Sequence, residues 1–213
     1  MVARLRHLSW FGYTVVIATN TERRILLLDA AIELLAGRGS RGLTFRAIDE
    51  TAGTPIGTAS NYFADRRELL AQVFDRIGAR LAPDPDVLAR LGRRRPSARL
   101  FGDYMRDIVS RLTTERDVTL ALFELRLEAS RNPEVAGLVR TWQGAGFSAD
   151  VAFHADAGLP GGRDEVALFH YALDGLVLDR LTEPIDPATT TDHVIDRLVD
   201  GLFREMHAEP GTG

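Results

Sequence analysis

Between Thr19 and Leu81 the chain reads as four helices separated by breaks, and the tightest break, Gly53-Thr54-Pro55, leaves room only for two helices meeting at a corner. Thr19 and Glu22 match a capping box opening the first helix, in which each side chain satisfies a backbone N–H. Ile25, Leu28, Ile32 and Leu35 then recur at helical spacing, and Gly37 and Gly39 end the run. Thr44 predicts the N-cap of a second helix through Ala52. Thr54 predicts the cap of a third, with Pro55 at the first helical position, where its missing N–H costs nothing, running to about Asn61. Asp65 and Glu68 form another capping box, before a helix lined by Leu70, Val73, Phe74, Ile77 and Leu81.

Ala82-Pro-Asp-Pro-Asp86 interrupts this pattern and predicts a domain boundary. Helical spacing resumes in Leu100, Phe101, Tyr104, Met105, Ile108 and Leu112, and helices are expected over 118–129, from Pro133 to about Ala157, over 163–182 and over 189–207. Val118 to Leu127 nearly alternates as a strand would, but no turn and partner strand lie nearby. The expected fold class is therefore all-α: an N-terminal three-helix unit over 19–82, a helical domain over 83–208 and a frayed tail over 209–213. Residues 1–18 form an extension, disordered or not native. Its basic start and apolar Leu8–Ala18 look superficially like a signal peptide, but the stretch is too short to span a bilayer and lacks a clear cleavage site.

Charge is divided unevenly. The net charge of −4 splits into +2 over 1–19, +1 over 20–82 and −7 over 83–213, so the first unit remains free to approach phosphate. All 26 basic residues are arginine, which a GC-rich genome explains as well as selection for phosphate contacts does. With no cysteine, thiol nucleophiles, redox pairs and thiolate zinc sites are excluded. His7, His154, His170, His193 and His207 form no i, i+4 pair, so no metal site is expected, and no cofactor. Neither G-x-S-x-G nor G-x-x-x-x-G-K occurs.

Three short helices with a tight turn before the third are what a helix-turn-helix requires, the third entering a major groove by its N-terminal residues. Gly57, Thr58, Ser60 and Asn61 present small or polar groups that let the backbone approach the bases. Asn61 suits an adenine edge, and Thr58 a thymine methyl or a phosphate. The same residue types also cap and solvate ordinary surface helices.

Residues 23–81 resemble the tetracycline-repressor (TetR) family of bacterial transcription regulators. The likeness rests on Ile25, Ala30-Ala31, Leu34 and Gly39, then Leu43-Thr44-Phe45-Arg46-Ala47-Ile48, Ala52-Gly53-Thr54-Pro55-Ile56-Gly57-Thr58-Ala59-Ser60-Asn61-Tyr62-Phe63 and Asp65-Arg66-Arg67-Glu68-Leu69-Leu70. The family pattern is T-x-x-x-I-A, then A-G-V-S-x-G-T-x-Y-x-Y-F, then S-K-E-x-L. Here Pro55 stands for the usual serine, with Thr54 expected to take over as cap; Ser60 stands for a tyrosine and Arg66 for a lysine. By resemblance, Thr44, Arg46, Tyr62 and Arg66 position the DNA backbone while Ile56 to Asn61 face the bases, beside Thr54 and Pro55.

The resemblance further implies a homodimer on a palindromic operator in double-stranded DNA, joined through the last two helices by Val166, Leu173, Val177, Ile195, Leu198, Val199 and Leu202. It also implies a small-molecule ligand in the C-terminal domain that releases a repressor. Phe101, Tyr104, Phe123, Trp142, Phe147 and Phe169 are candidate pocket residues that would equally suit a plain core. Arg126 would anchor an anionic ligand or pair with an internal acid. The expectation is a cytoplasmic, non-enzymatic regulator with no membrane partner. Rival readings are an all-α enzyme, needing His154, His170 or Glu124 to converge, and a secreted or membrane-associated interaction protein resting on residues 1–18.

Overall fold

The computed structural model describes residues 11–204, with side chains from Asn20 onward. Its described residues form ten helices and no strand. The first is α1 (Phe11–Gly42), which bends at Gly39, where φ is +68°. It already runs through Thr19, so the capping box expected there is not a helix start. Residues 1–10 and 209–213 of the expected extension and tail lie outside the described residues.

After α1 come α2 (Phe45–Thr51), α3 (Thr58–Tyr62) and α4 (Arg66–Arg80). The oxygens predicted to cap α2 and α4 do so: Thr44 Oγ1 accepts from the Ala47 N–H at 3.1 Å, and Asp65 Oδ1 from the Glu68 N–H at 2.8 Å. The next helices are α5 (Pro85–Leu91), α6 (Ala98–Thr114), α7 (Arg116–Ala129) and α8 (Pro133–Asp156), followed by α9 (Arg163–Leu181) and α10 (Thr191–Arg204). The near-alternating stretch from Val118 is helical because its inward positions Val118, Ala121, Leu122 and Leu125 repeat at helical spacing.

Two apolar cores organise these helices. The first gathers Leu27, Ile32, Ile48, Phe63, Val73 and Ile77 from α1 to α4, and is completed by Val118, Ala121 and Leu125 of α7 and Val135 of α8. It thus crosses the break at 82–86, and α1 makes its most extensive packing against α7. The second joins Phe101 of α6, Phe169, Leu173 and Val177 of α9, and Ile195 and Phe203 of α10. Among the described residues, no helix is long and apolar enough to cross a membrane.

Candidate nucleic-acid interface

The short helix α3 starts later than its sequence suggests. Pro55 to Thr58 form a turn closed by the Thr58 N–H on the Pro55 carbonyl at 3.1 Å, and Gly57, at φ +96° and ψ −5°, takes the third-residue conformation of a type II turn. Nothing lies within 4 Å of a Cβ built on Gly57, so glycine is required there by the backbone angle and not by space. Helical geometry begins at Thr58, three residues beyond the expected Pro55 start.

What holds this turn is Asp49 of α2, an acid only 1 % exposed. Its Oδ2 accepts from the Gly57 N–H at 2.7 Å, and its Oδ1 from the Ala59 N–H at 2.7 Å and the Thr54 hydroxyl at 3.3 Å. Thr54 therefore donates to a carboxylate and does not cap α3, contrary to the expectation. The signal for Asp49 was present in the sequence: the family pattern carries alanine at this position. Capping by a residue eight to ten positions away, however, has no local signature.

Above this frame, Ala59 is buried while Pro55, Ile56, Ser60 and Asn61 are exposed. Thr58 donates to the Pro55 carbonyl and Ser60 to the Gly57 carbonyl, so both hydroxyls keep lone pairs facing outward. The Asn61 amide has no protein partner among the described residues. Tyr62 is half-buried and lies 5.4 Å beneath the Arg24 guanidinium, which also donates to the Tyr62 carbonyl and to Gln72. Arg24 thus ties α1 to the end of α3 and to α4, a role the spacing alone did not reveal.

The basic residues divide into two groups. Arg46 is exposed and pairs with Glu50 one turn along α2 at 2.9 Å. Arg66, expected to position the DNA backbone, is exposed and is also bonded within the chain. Its guanidinium donates to the Leu43 carbonyl at 2.6 Å and to the Ser40 carbonyl and hydroxyl at 2.9 and 3.0 Å. Arg66 and its neighbour Arg67 are both exposed, but Arg66 is bonded to the end of α1, whereas Arg67 has no acidic partner among the described residues. Arg66→Ala is therefore expected to lower stability by about 1–2 kcal/mol through carbonyls left to water. Arg67→Ala should leave stability unchanged, weaken binding to all duplexes alike and reduce the salt slope by about one. Thermal melts and anisotropy titrations at several salt concentrations check both.

Ser40 also receives the C-terminal helices, its N–H donating to Glu124 Oε1 of α7 at 2.8 Å. The hinge between α1 and α2 is thus gripped from both sides, by Arg66 and by Glu124. His154 is buried against Phe101 with its Nε2 2.9 Å from the Pro160 carbonyl, while His170 is exposed beside Asp150. Glu124, His154 and His170 each have separate partners, and no group of acids and histidines among the described residues could hold a metal.

Of the expected pocket residues, Phe101, Tyr104 and Phe169 share the second core, with Phe123 packed against it, while Trp142 packs against the first. Phe101 and Phe169 stack edge to face at 4.5 Å inside the second core, and Trp142 packs on Phe74 at 5.7 Å beside the first. Phe147 lies under Arg163 on the outside of α8, and Phe123 lies 5.6 Å from Arg126. Arg126 forms a bidentate pair with Asp174 of α9 at 2.7 and 2.6 Å, which raises the pKa of its guanidinium and makes it an internal ion pair. Tyr104 borders an open cleft of about 280 Å³ between α5, α6 and α8, shared with Leu88, Leu100, Phe153 and Asp156.

The expected dimer residues differ in exposure. Val166, Leu173, Val177, Ile195 and Val199 are buried within their own chain, and Leu198 and Leu202 are half-buried at the flanks of α10. The apolar groups that α9 leaves outside are Leu168, Tyr171 and Leu178, Tyr171 being 73 % exposed, around an open Gly175.

Comparison with known proteins agrees with this architecture. Residues 27–73 match the model described as bacterial regulatory proteins, tetR family, and residues 96–205 match the tetracyclin repressor-like C-terminal domain. The chain belongs to the TetR family of transcriptional regulators. Among solved structures it is similar to a transcriptional regulator from Rhodococcus sp. Rha1, with 21 % identity over 85 % of this chain and 96 % of that one at a TM-score of 0.64. A TetR family transcription regulator from Marinobacter aquaeolei VT8 shares 15 % identity over 86 % and 97 % of the two chains, at 0.63. The multidrug binding protein EbrR, solved with imidazole, shares 25 % over 89 % and 97 %, at 0.58. No curated protein sequence matches the chain.

Proposed function

We propose that this regulator acts as a cytoplasmic homodimeric repressor, without catalytic activity, that lays two copies of the Pro55–Asn61 segment into successive major grooves of a palindromic operator. The observation that carries this reading is an exposed, polar-tipped segment fixed on a buried frame, with the Asn61 amide lacking a protein partner among the described residues. Thr44, Arg46, Tyr62 and Arg67 flank it as contacts to the DNA backbone. Asn61→Ala is expected to weaken the preferred duplex by about 1–3 kcal/mol while changing random-duplex binding little. Equal losses on both duplexes, measured by competition titration, would remove Asn61 from the base-reading set.

The face of α9 formed by Leu168, Tyr171, Gly175 and Leu178 serves as the self-complementary surface of the dimer. A cleft beside Tyr104 receives the releasing ligand. The Tyr104 phenol is raised by burial, with nearby Arg94 opposing, so it stays a neutral hydroxyl; it has no hydrogen-bond partner among the described residues. Arg94 is paired with Asp103, and Asp156 offsets its charge at the rim, so an uncharged apolar compound with one hydrogen-bonding group fits. Tyr104→Phe should weaken 2-naphthol about tenfold and naphthalene hardly at all, as read by calorimetry. Equal effects on the two compounds would exclude the hydroxyl as a contact.

Release follows from the grip on the hinge. A ligand seated between α5, α6 and α8 acts on operator affinity only through its differential affinity for two arrangements of the C-terminal helices. Glu124 carries any shift of α7 to Ser40, and hence to the reading segment.

A further inference from the structure

We propose that Asp49 is the positioning residue of the DNA-reading segment: its carboxylate acts as a cap supplied from α2 and holds Gly57 and Ala59 in the one conformation that presents Ile56 to Asn61. The claim rests on the reading above that this segment faces DNA. Its geometric basis is independent of that reading.

Two backbone N–H groups at the start of α3 point inward, away from water, and must be satisfied there. No side chain beside them does accept: Pro55 and Ile56 have no side-chain acceptor, Gly57 has no side chain, and the Thr54 hydroxyl is turned to Asp49. Asp49 takes both at 2.7 Å, one on each oxygen, and its own backbone carbonyl accepts the Thr54 N–H at 2.9 Å. One residue of α2 therefore fixes both the entry to the turn and its exit. Among the described residues no salt bridge involves this acid, which is almost wholly buried, so these donors are what compensate it. At 1 % exposure Asp49 has no surface to offer a base or phosphate, so its influence on recognition passes through the backbone it orients.

A positioning role differs from a stabilising one in what it alters. If the turn loosens, the segment still carries the same side chains and charges, so binding to random duplex persists while the contacts that distinguish one sequence from another are lost. A serine at position 55 would restore a local acceptor two residues before Gly57, the spacing at which serine hydroxyls accept from backbone.

The test uses the full chain and the duplex that the wild-type protein enriches from sheared genomic DNA. Asp49→Ala is expected to reduce amide exchange protection at Gly57 and Ala59 by more than tenfold. It should lower the affinity ratio between enriched and random duplex by a similar factor. The double variant Asp49→Ala/Pro55→Ser should recover most of both quantities, and Asp49→Asn, which keeps a single acceptor oxygen, should fall between and covers the case in which the alanine variant does not fold. An unchanged affinity ratio in Asp49→Asn alongside a lowered melting temperature would overturn the proposal, as would failure of the serine to restore protection. If the wild-type protein enriches no duplex, the DNA-reading proposal fails instead, and the exchange measurements still judge the cap.

Discussion

Tyr171→Glu is expected to separate the two subunits. Tyr171 stands 73 % exposed on α9 between Leu168 and Leu178, and nothing lies within 4 Å of a Cβ at neighbouring Gly175, so a second helix could approach closely. In a two-fold interface each surface meets its own copy, and one substitution places two carboxylates in the same apolar contact. Burying such charges without partners is strongly unfavourable. Linking two reading segments makes the second contact intramolecular, an advantage of about 10²–10⁴ in affinity. Operator affinity should fall by a comparable factor while the circular dichroism spectrum stays that of the wild type. Sedimentation equilibrium should find a monomer; a variant that stays dimeric with full operator affinity would place the interface elsewhere.

A different kind of loss is expected from Phe101→Ala. Phe101 is 2 % exposed and its ring meets Phe169 at 4.5 Å, His154 at 5.2 Å and Phe203 at 5.3 Å, each edge to face. Removing it takes the shared member from a cluster joining α6, α8, α9 and α10. Truncation of a buried phenylalanine costs about 3–5 kcal/mol, from lost burial and from the cavity left behind. That is a large part of the stability of a domain of this size. Denaturant unfolding should report the loss directly. If the cavity instead raised affinity for naphthalene with little effect on stability, these aromatics would be pocket walls and not core.

The contrast between these two residues shows what the sequence made legible. Helical spacing and capping oxygens marked α2 and α4 closely, since Thr44 and Asp65 act on N–H groups three residues away. The tight turn at Gly53 was legible for the same reason: its left-handed backbone, at φ +64°, favours glycine. In α9, by contrast, apolar residues occupy both sides, with Val166, Leu173 and Val177 inward and Leu168, Tyr171 and Leu178 outward. Periodicity cannot say which side of such a helix meets its own chain and which its partner. The dimer residues expected on α9, Val166, Leu173 and Val177, lie on its inward side.

Long-range polar contacts were the other blind spot. Arg66 and Arg67 are adjacent, chemically identical and both exposed, yet only the first reaches Ser40 and Leu43. Which one finds partners follows from where α1 ends, 23 to 26 residues earlier, and not from anything beside them. Asp49 is a similar case, since its partners come together only once α2 and α3 have met.

The central claim is that a dimer presents Pro55–Asn61 twice to one face of a duplex. Hydroxyl-radical footprinting on the duplex enriched by the wild-type protein tests it most directly. Two protected half-sites should appear, related by an approximate two-fold axis and with centres about 34–36 Å apart or a multiple of that. Both should vanish together in Tyr171→Glu. A single protected patch without symmetry, or two patches that persist in a monomeric variant, would contradict the account.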